Sequence, residues 1–160
     1  MIQPTTDKTI KNIAEIQNKW AEGVIKIGLD FKEGKDYVST AEIFLNSLYN
    51  FECSKVLFKP TKAKLTQFRA KKNEFMSYFV GHHKVCKEDK GFALEPWKEI
   101  NFKNFDILSL DKIIISMGNY FFTNYKNHTL KVEYSFGYIF DKNKNLKIIF
   151  HHSSIPFKST

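Results

Sequence analysis

Residues 130–155, "LKVEYSFGYIFDKNKNLKIIFHHSSI", contain two runs rich in β-branched and aromatic side chains, separated by the polar segment DKNKN. A polar turn between two such runs is typical of a β-hairpin. Residues 102–110 and 112–124 have the same character, and the polar segment NYKNHT at 124–129 separates them from the hairpin. The C-terminal part of the chain is therefore predicted to form an antiparallel meander.

The N-terminal part of the chain has the spacing of helices. Residues 7–27 carry apolar side chains at steps of three and four, namely Ile10, Ile13, Ile16, Trp20, Val24 and Ile27. This stripe predicts an amphipathic helix with Thr6 or Asp7 as its cap, and we expect Gly28 and the segment KEGKD to end it.

A second helix is predicted from about Tyr37 to Leu48, with Ser39 or Thr40 as its cap. Its inward side chains are expected to be Ile43, Phe44, Ser47 and Leu48. Residues 55–61 form a short predicted strand that Pro60 ends. Residues 72–83 fit a strand or a short helix equally well.

Helices followed by a long antiparallel meander indicate an α+β fold, which we expect to be a single domain, residues 1–160. The N-terminal helices should pack against a curved antiparallel sheet that wraps around them as a cone. Such a cone encloses a pocket lined by the inward-facing residues of the strands.

The composition argues against several classes of protein. The net charge is +8, but Arg69 is the only arginine among 25 basic residues. Bidentate contacts to phosphate and guanine favour arginine, so nucleic-acid binding is not expected. Cys53 and Cys86 are too few for a disulfide framework. No apolar run reaches the length of a membrane-spanning helix.

The N-terminus has no apolar signal-peptide core, which predicts a cytoplasmic protein as written, or a periplasmic one if a signal peptide has been removed.

The histidines raise the question of a metal site; they are His82, His83, His128, His151 and His152. Neighbouring residues of a regular strand point to opposite faces, so His151 and His152 cannot both bind one ion. No HExxH motif is present. Each of these two histidines lies two residues before a serine, about 6–7 Å along a strand, too far for a nucleophile and its base. Neither a catalytic metal nor a serine hydrolase is favoured.

Alternation along the last strand predicts which of its polar side chains face inward. Lys147 is expected to face outward, and with it every odd-numbered residue of 147–153. The even-numbered face therefore lies inside, and it ends in His152 and Ser154, which are predicted to reach the pocket. The alternative is that all the polar residues of HHSS lie at a sheet edge with satisfied hydrogen bonds.

Several segments occur in an order that resembles one known family: LFKPTKA (57–63), QFR (67–69), SYFVG (77–81), ED followed by GFALEPW (88–97), MGNYFF (117–122), VEYSFGY (132–138) and HHSSIP (151–156). Together they resemble the iota-class carbonic anhydrases. Those are similar to the association domain of calcium/calmodulin-dependent protein kinase II, within the NTF2-like (SnoaL-like) superfamily. The resemblance runs from about Ile10 to Phe157 and implies an NTF2-like cone that catalyses reversible hydration of CO2 to bicarbonate and a proton.

The resemblance also implies a site. Some members of the family act without metal and others use manganese, so the resemblance does not settle the cofactor. We expect none and leave manganese or zinc open. In the metal-free arrangement a Thr, a Tyr and a Ser bind the water and the bicarbonate. By motif these are Thr61, Tyr78 and a serine of HHSS, for which strand alternation selects Ser154; His152 is the candidate proton acceptor. The candidate substrate-binding residues are Phe79, Tyr120, Tyr138 and Ser153.

Two features depart from the family's usual pattern: the charged loop GHHKVCKEDKGFAL (81–94) and Ser135 in place of a threonine. Neither removes a candidate site residue. A homodimer is expected, because Ile149 and its aromatic neighbours would make the outer face of the sheet apolar. Two other functions stay open: a non-catalytic NTF2-like ligand-binding or oligomerisation module, and another pocket enzyme such as an isomerase or a hydrolase.

Overall fold

The computed structural model describes residues 2–52, 55–81 and 85–159. Its helices are α1 (Asp7–Lys32), α2 (Tyr37–Leu48) and α3 (Lys72–Val80), followed by a 3-10 turn, Phe92–Leu94. Its strands are β1 (Ile2–Gln3), β2 (Leu57–Lys59), β3 (Trp97–Leu110), β4 (Ile113–Asn124), β5 (Thr129–Phe140) and β6 (Leu146–Ser154). Cys53, His82 and His83, which the sequence singles out, lie outside the described residues.

The strands form one sheet in the order β1-β3-β4-β5-β6-β2. The meander from β3 to β6 is antiparallel throughout, as predicted. The short strand β2 instead pairs with β6 in the parallel direction, so the prediction of a wholly antiparallel sheet is wrong for this strand. Helix α1 packs against both α2 and β3, so the predicted α+β arrangement of N-terminal helices on a C-terminal sheet is confirmed. No helix among the described residues is long and apolar enough to cross a bilayer.

Helix α1 is longer than predicted. Its stripe is buried from Ile13 to Ile27, and the Thr6 hydroxyl caps it by accepting from Thr9 N at 3.2 Å. The prediction that Gly28 ends the helix is wrong, because the helix continues to Lys32. Gly28 serves close packing instead, since a Cβ at this position would lie 2.7 Å from the Ala93 carbonyl oxygen.

Helix α2 has the predicted bounds, but its cap and part of its inward face differ. Asp36, not Ser39 or Thr40, is the cap, and its Oδ1 accepts from Ser39 N at 3.0 Å. Phe44 and Leu48 are buried as predicted, together with Ala41 and Leu45. The predicted inward residues Ile43 and Ser47 are exposed.

Residues 72–80, for which spacing left strand and helix open, form α3. Phe75, Tyr78 and Phe79 lie on its buried side at helical steps of three and four. The helix ends at Gly81, whose φ of 76° is the left-handed conformation that suits glycine.

Aromatic rings around Trp20 fill the space between the helices and the sheet. The indole is 1% exposed. Ring centroids lie 5.6–6.2 Å from it for Phe44, Phe79, Phe102, Tyr120, Phe122, Phe136 and His151. The interior of the cone is therefore packed with side chains, and the polar groups within it are held in fixed positions.

Candidate active site

A β-bulge in β6 decides which histidine and which serine enter the core. Two adjacent residues of β5, Gly137 and Tyr138, pair with residues of β6 on either side of Ile149. Ile149 is thus an extra residue, and one extra residue reverses the alternation of the strand beyond it. Ile148 is buried as predicted, but past the bulge the buried residues are the odd-numbered ones.

The predicted inward orientation of His152 and Ser154 is therefore wrong. His152 is exposed, and the Ser154 hydroxyl donates to Glu133 Oε2 at 2.9 Å on the outer face of the sheet. His151 and Ser153, which alternation assigned to the outer face, are 2% and 1% exposed. Ser153, named in the sequence analysis as a substrate-binding candidate, is the serine that HHSS delivers to the interior.

Several hydroxyl groups meet next to His151. Ser153 Oγ lies 2.9 Å from His151 Nε2, so the expectation that their spacing along the strand keeps these two side chains apart is wrong. Ser153 Oγ also lies within hydrogen-bonding distance of the Tyr120 hydroxyl, which lies 3.3 Å from the same nitrogen. The Thr61 side chain lies close enough to Tyr120 and to Tyr78 to act on the pKa of both hydroxyls, and the next residue, Lys62, donates its backbone N–H to the Tyr78 hydroxyl at 3.4 Å. We call Thr61, Tyr78, Tyr120 and Ser153 the hydroxyl cluster; Thr61 is half-buried and the other three are buried.

Each member of the hydroxyl cluster comes from a different element: Thr61 from the loop after β2, Tyr78 from α3, Tyr120 from β4 and Ser153 from β6. Strand β2 runs parallel to β6 with Phe58 opposite His151. The chain that leaves β2 therefore carries Thr61 towards the end of β6, where Ser153 lies. The parallel pairing, which the sequence did not predict, is what brings the two hydroxyls together.

A second chain of hydrogen bonds fixes the tautomer of His151. Trp20 Nε1 donates to the Tyr49 hydroxyl at 2.9 Å, and that hydroxyl lies 2.9 Å from His151 Nδ1. An indole N–H can only donate, so Tyr49 accepts from Trp20. Among the described residues the buried Tyr49 hydrogen has His151 Nδ1 as its acceptor, and a buried donor without a partner would be costly, so Tyr49 donates to Nδ1. The neutral imidazole then carries its hydrogen on Nε2 and donates it to Ser153. The Ser153 hydroxyl, which accepts from His151, can then donate its own hydrogen to Tyr120 or to a bound molecule.

Burial keeps these groups uncharged. It lowers the pKa of His151 well below the usual histidine value, and the neighbouring His152 lowers it further. Burial also raises the pKa of Tyr78 and of Tyr120 well above the usual tyrosine value, and this outweighs the hydrogen bonds that lower it. At neutral pH the site therefore offers a neutral imidazole and protonated hydroxyls, which donate hydrogen bonds without carrying charge.

We expect the buried imidazole to make the protein less stable in mild acid. Below pH about 6.5 the unfolded chain takes up a proton on His151, whereas the folded chain resists it. The free energy of unfolding should therefore fall as the pH decreases from 7 to 5, by up to about 1.4 kcal/mol per pH unit. Urea unfolding at pH 5, 6 and 7 measures this slope.

Two variants identify the group responsible. His151→Gln should lose most of the slope. His152→Gln should keep most of it, because partial burial and Lys59 also lower the pKa of His152, but by less. A free energy of unfolding that is constant between pH 5 and 7 would contradict a neutral His151 in the core.

The remaining substrate-binding candidates lie in different places. Phe79 is buried beside Tyr78, with ring centroids 5.4 Å apart. Tyr138 is also buried, but its hydroxyl lies 3.1 Å from Ser116 Oγ. No hydrogen bond among the described residues joins Tyr138 to the hydroxyl cluster, so the structure does not bring it to the site.

Sequence reasoning missed the group formed by Trp20, Tyr49 and His151. Trp20 was expected only as a core residue, and alternation placed His151 outside. Tyr49 lies 102 residues before His151 in the chain, so no local spacing relates the two. The HHSS motif was the only signal, and it gave no indication of which of its two faces turns inward.

A cleft of about 700 Å³ leads from the surface to Tyr78 and is lined in part by Lys62, Phe92 and Glu95. Lys62 and Glu95 form an ion pair in it. A larger cavity of about 1160 Å³ lies elsewhere, between α1, α2 and the turn from β5 to β6, and contains no member of the hydroxyl cluster. Within the described ranges, no group of three or more His, Cys, Asp or Glu is arranged to hold a metal ion.

Solved structures with related folds agree with this architecture. The chain superposes on an NTF2-like protein of unknown function from Pseudomonas putida with a TM-score of 0.60 and 10% identity, covering 96% of this chain and 90% of that one. It superposes on a putative calcium/calmodulin-dependent protein kinase II association domain from Xanthomonas campestris with a TM-score of 0.55 and 18% identity, over 92% and 87%. At these identities the similarity confirms the predicted NTF2-like fold and no more.

Three comparisons go further. The structure of an iota-carbonic anhydrase from a cyanobacterium, complexed with bicarbonate, is 29% identical with a TM-score of 0.90, over 99% of this chain and 100% of that one. A metal-independent carbonic anhydrase from Nostoc sp. is 32% identical over 153 residues, which are 94% of this chain and 75% of the relative. The family model for metal-independent carbonic anhydrase matches residues 11–155. The chain therefore belongs to the metal-independent carbonic anhydrase family, the iota class that its ordered motifs resemble.

Proposed function

We propose that this protein catalyses the reversible hydration of CO2 to bicarbonate and a proton at the hydroxyl cluster, without a bound metal. The observation that carries the proposal is the meeting of Thr61, Tyr78, Tyr120 and Ser153, from four separate elements, beside a neutral histidine. Membership of a family described as metal-independent supports it. So does the similarity to a relative whose structure holds bicarbonate.

The chemistry of the cluster suits this reaction. Bulk water is a very weak acid, and the four hydroxyls of the cluster are not the ligand set of a metal ion that would lower the pKa of a bound water. Catalysis would then rest on orientation and on hydrogen bonds that strengthen as negative charge develops on the oxygens of CO2. Serine and threonine hydroxyls both donate and accept, so Thr61 would hold the attacking water. Tyr78 and Ser153 would donate to the bicarbonate as it forms.

The direction of hydrogen bonding gives His151 an orienting role. Its Nδ1 accepts from Tyr49 and its Nε2–H donates to Ser153, so neither nitrogen is free to take a proton from water. The exposed His152, proposed from the sequence as the proton acceptor, lies on the other side of the sheet. The attacking water would therefore transfer its proton to solvent water in the cleft at Tyr78, because buried Trp20 and Tyr49 close the opposite side.

Apolar rings stand beside the cluster, as binding of nonpolar CO2 requires. The rings of Phe58, Phe79 and Phe92 lie 5.3–5.4 Å from that of Tyr78, measured between centroids. We therefore propose that Phe79 lines the CO2-binding site, as expected from the sequence.

The proposal is tested by stopped-flow CO2 hydration with protein freed of metal by a chelator. Acceleration over the uncatalysed rate that is insensitive to chelator is expected. The absence of any acceleration, with and without added manganese or zinc, would favour the alternative of a non-catalytic NTF2-like binding or oligomerisation module.

The outer face of the sheet supports the proposal that the protein is a homodimer. Leu108, Ile113 and Met117 are 41%, 41% and 47% exposed, and Ile115 lies opposite Leu108 in the same surface. Monomeric proteins rarely expose a contiguous apolar surface of this kind. The same face of a second copy is the simplest cover for it.

We expect light scattering at micromolar concentration to give twice the mass of the chain. Met117→Lys should reduce the mass to that of one chain, because a charge would be buried at the centre of the contact. Ile43→Lys, a matched apolar-to-lysine change at an exposed position of α2, should leave the dimer intact. A monomeric unmodified protein would count against the proposal.

A further inference from the structure

The loop that carries Thr61 is held at its tip by a single carboxylate. Glu88 Oε2 accepts from Lys64 N at 2.7 Å and from Leu65 N at 3.0 Å, and Glu88 Oε1 accepts from Thr66 N at 2.7 Å. Three consecutive backbone N–H groups that converge in this way form a nest, a concavity that binds an anion. Here the anion is a side chain of the protein itself.

The base of the same loop is closed by strand pairing. Phe58 N donates to Arg69 O at 2.9 Å, and Arg69 N donates to Phe58 O at 2.8 Å. The segment between these two residues, which includes Thr61, is therefore fixed at both ends: by β2 at its base and by Glu88 at its tip. Glu88 lines the same cleft as Tyr78, but it forms no hydrogen bond with the hydroxyl cluster in the described part of the chain, and its bonds to the loop are its link to Thr61.

The chain's single arginine holds the carboxylates in place. The Arg69 side chain is buried, and its guanidinium forms a bidentate pair with Asp89 at 2.7 and 2.8 Å. It also lies 3.8 Å from Glu88 Oε1. Planar, bidentate binding of this kind requires arginine and is not reproduced by lysine.

The adjacent residue Asp89 extends the connection to α3. Ser77 Oγ donates to Asp89 Oδ2 at 2.6 Å, and Ser77 immediately precedes Tyr78. The Arg69 guanidinium also lies 5.6 Å from the centre of the Tyr78 ring. The dipeptide Glu88-Asp89 thus connects two of the elements that supply the hydroxyl cluster, the Thr61 loop and α3.

The environment favours a charged Glu88. Partial burial raises its pKa, but the three backbone donors and Arg69 lower it by more, so the pKa lies below the usual glutamate value. Charge-assisted hydrogen bonds of this kind are stronger than those of a neutral acceptor. A neutral side chain of the same shape should hold the loop less firmly.

We propose that Glu88, supported by Arg69, is a positioning residue that fixes the Thr61 hydroxyl in its reactive orientation. The inference rests on the proposed carbonic anhydrase function. Because the Glu88 oxygens accept from the loop and form no hydrogen bond with the hydroxyl cluster among the described residues, Glu88 contributes to catalysis by ordering the loop and not by binding CO2 or bicarbonate. Its loss should therefore lower kcat more than it changes KM.

Glu88→Gln tests the proposal, because it keeps the volume of the side chain and removes the charge. Amide hydrogen exchange at residues 64–66 should be at least about tenfold faster, because the charged acceptor of these N–H groups is gone. The kcat for CO2 hydration should fall at least about tenfold with KM within about twofold, because a misplaced reactive group affects mainly the chemical step. Lys87→Gln, at the exposed neighbouring position, is the matched control and should change neither quantity.

The outcomes separate the two proposals. If Glu88→Gln keeps the kcat of the unmodified protein, or if exchange at residues 64–66 is unchanged, the positioning role is overturned while the carbonic anhydrase function stands. If the unmodified protein does not hydrate CO2, both are overturned, and the exchange data still report whether Glu88 orders the loop. Faster exchange over the whole chain would indicate general destabilisation and would also overturn the positioning role.

Discussion

Ser153→Ala is expected to lower kcat/KM for CO2 hydration by about 100-fold or more, because it removes the buried hydroxyl that we propose donates to the bicarbonate as negative charge develops. Ser154→Ala should change the same quantity by less than about twofold, since its hydroxyl pairs with Glu133 outside the cone. The two variants delete the same atom from adjacent residues. Stopped-flow hydration assays on both, with thermal unfolding to show that each is folded, measure the difference.

The comparison between these serines is a direct test of the bulge at Ile149. If β6 alternated regularly from Leu146, the effects would be exchanged and Ser154→Ala would be the inactive variant. Loss of activity in Ser154→Ala with retention in Ser153→Ala would therefore contradict both the site and the strand register that places it. If neither Ser153→Ala nor Ser154→Ala loses activity, the reaction takes place away from residues 151–154.

Trp20→Ala is expected to lower the free energy of unfolding by about 3–5 kcal/mol, the usual cost of removing a large aromatic side chain from a packed core. The indole is 1% exposed and contacts rings from both helices and sheet. Its N–H also donates to Tyr49, which the substitution leaves without its buried donor. Urea unfolding at pH 7 measures the change.

Two further variants separate packing from hydrogen bonding at this position. Trp20→Phe keeps most of the apolar contact and should cost less stability, yet it removes the donor that sets the direction of the Tyr49–His151 chain. We therefore expect a reduced kcat in a folded protein. Phe157→Ala removes an aromatic ring that is 94% exposed and should leave stability and activity unchanged. If Trp20→Ala lowers the free energy of unfolding by less than about 1 kcal/mol, the surrounding side chains can repack into the space left by the indole, and the prediction is contradicted.

The elements of the fold were largely predictable, because each depends on spacing within a short stretch. The apolar stripe of α1, the bounds of α2 and the runs that form β3 to β6 follow from local periodicity. The ends of elements were less predictable. Gly28 looks like a helix terminator in sequence, and only its approach to the Ala93 carbonyl explains why a glycine stands inside α1.

The candidate site was predictable in part. The motifs pointed to Thr61, Tyr78 and HHSS, and the structure brings Thr61, Tyr78, Tyr120 and Ser153 together, although their catalytic roles remain proposals. The choice of Ser154 failed because alternation assumes a strand without insertions. The extra residue at Ile149 is defined by the partner strand β5, which lies beyond the reach of any count along β6 alone.

The sequence by itself determined the α+β class, the meander and the family, since these depend on local periodicity and on ordered motifs. The tertiary structure alone decided which half of HHSS faces the core. It also decided that His151 is neutral and bonded to Ser153, and that Glu88 binds the tip of the loop that carries Thr61. Each of these depends on contacts between residues far apart in the chain, such as Tyr49 with His151 or Lys64 with Glu88. Such contacts form only when strand pairing and packing fix the distances between them.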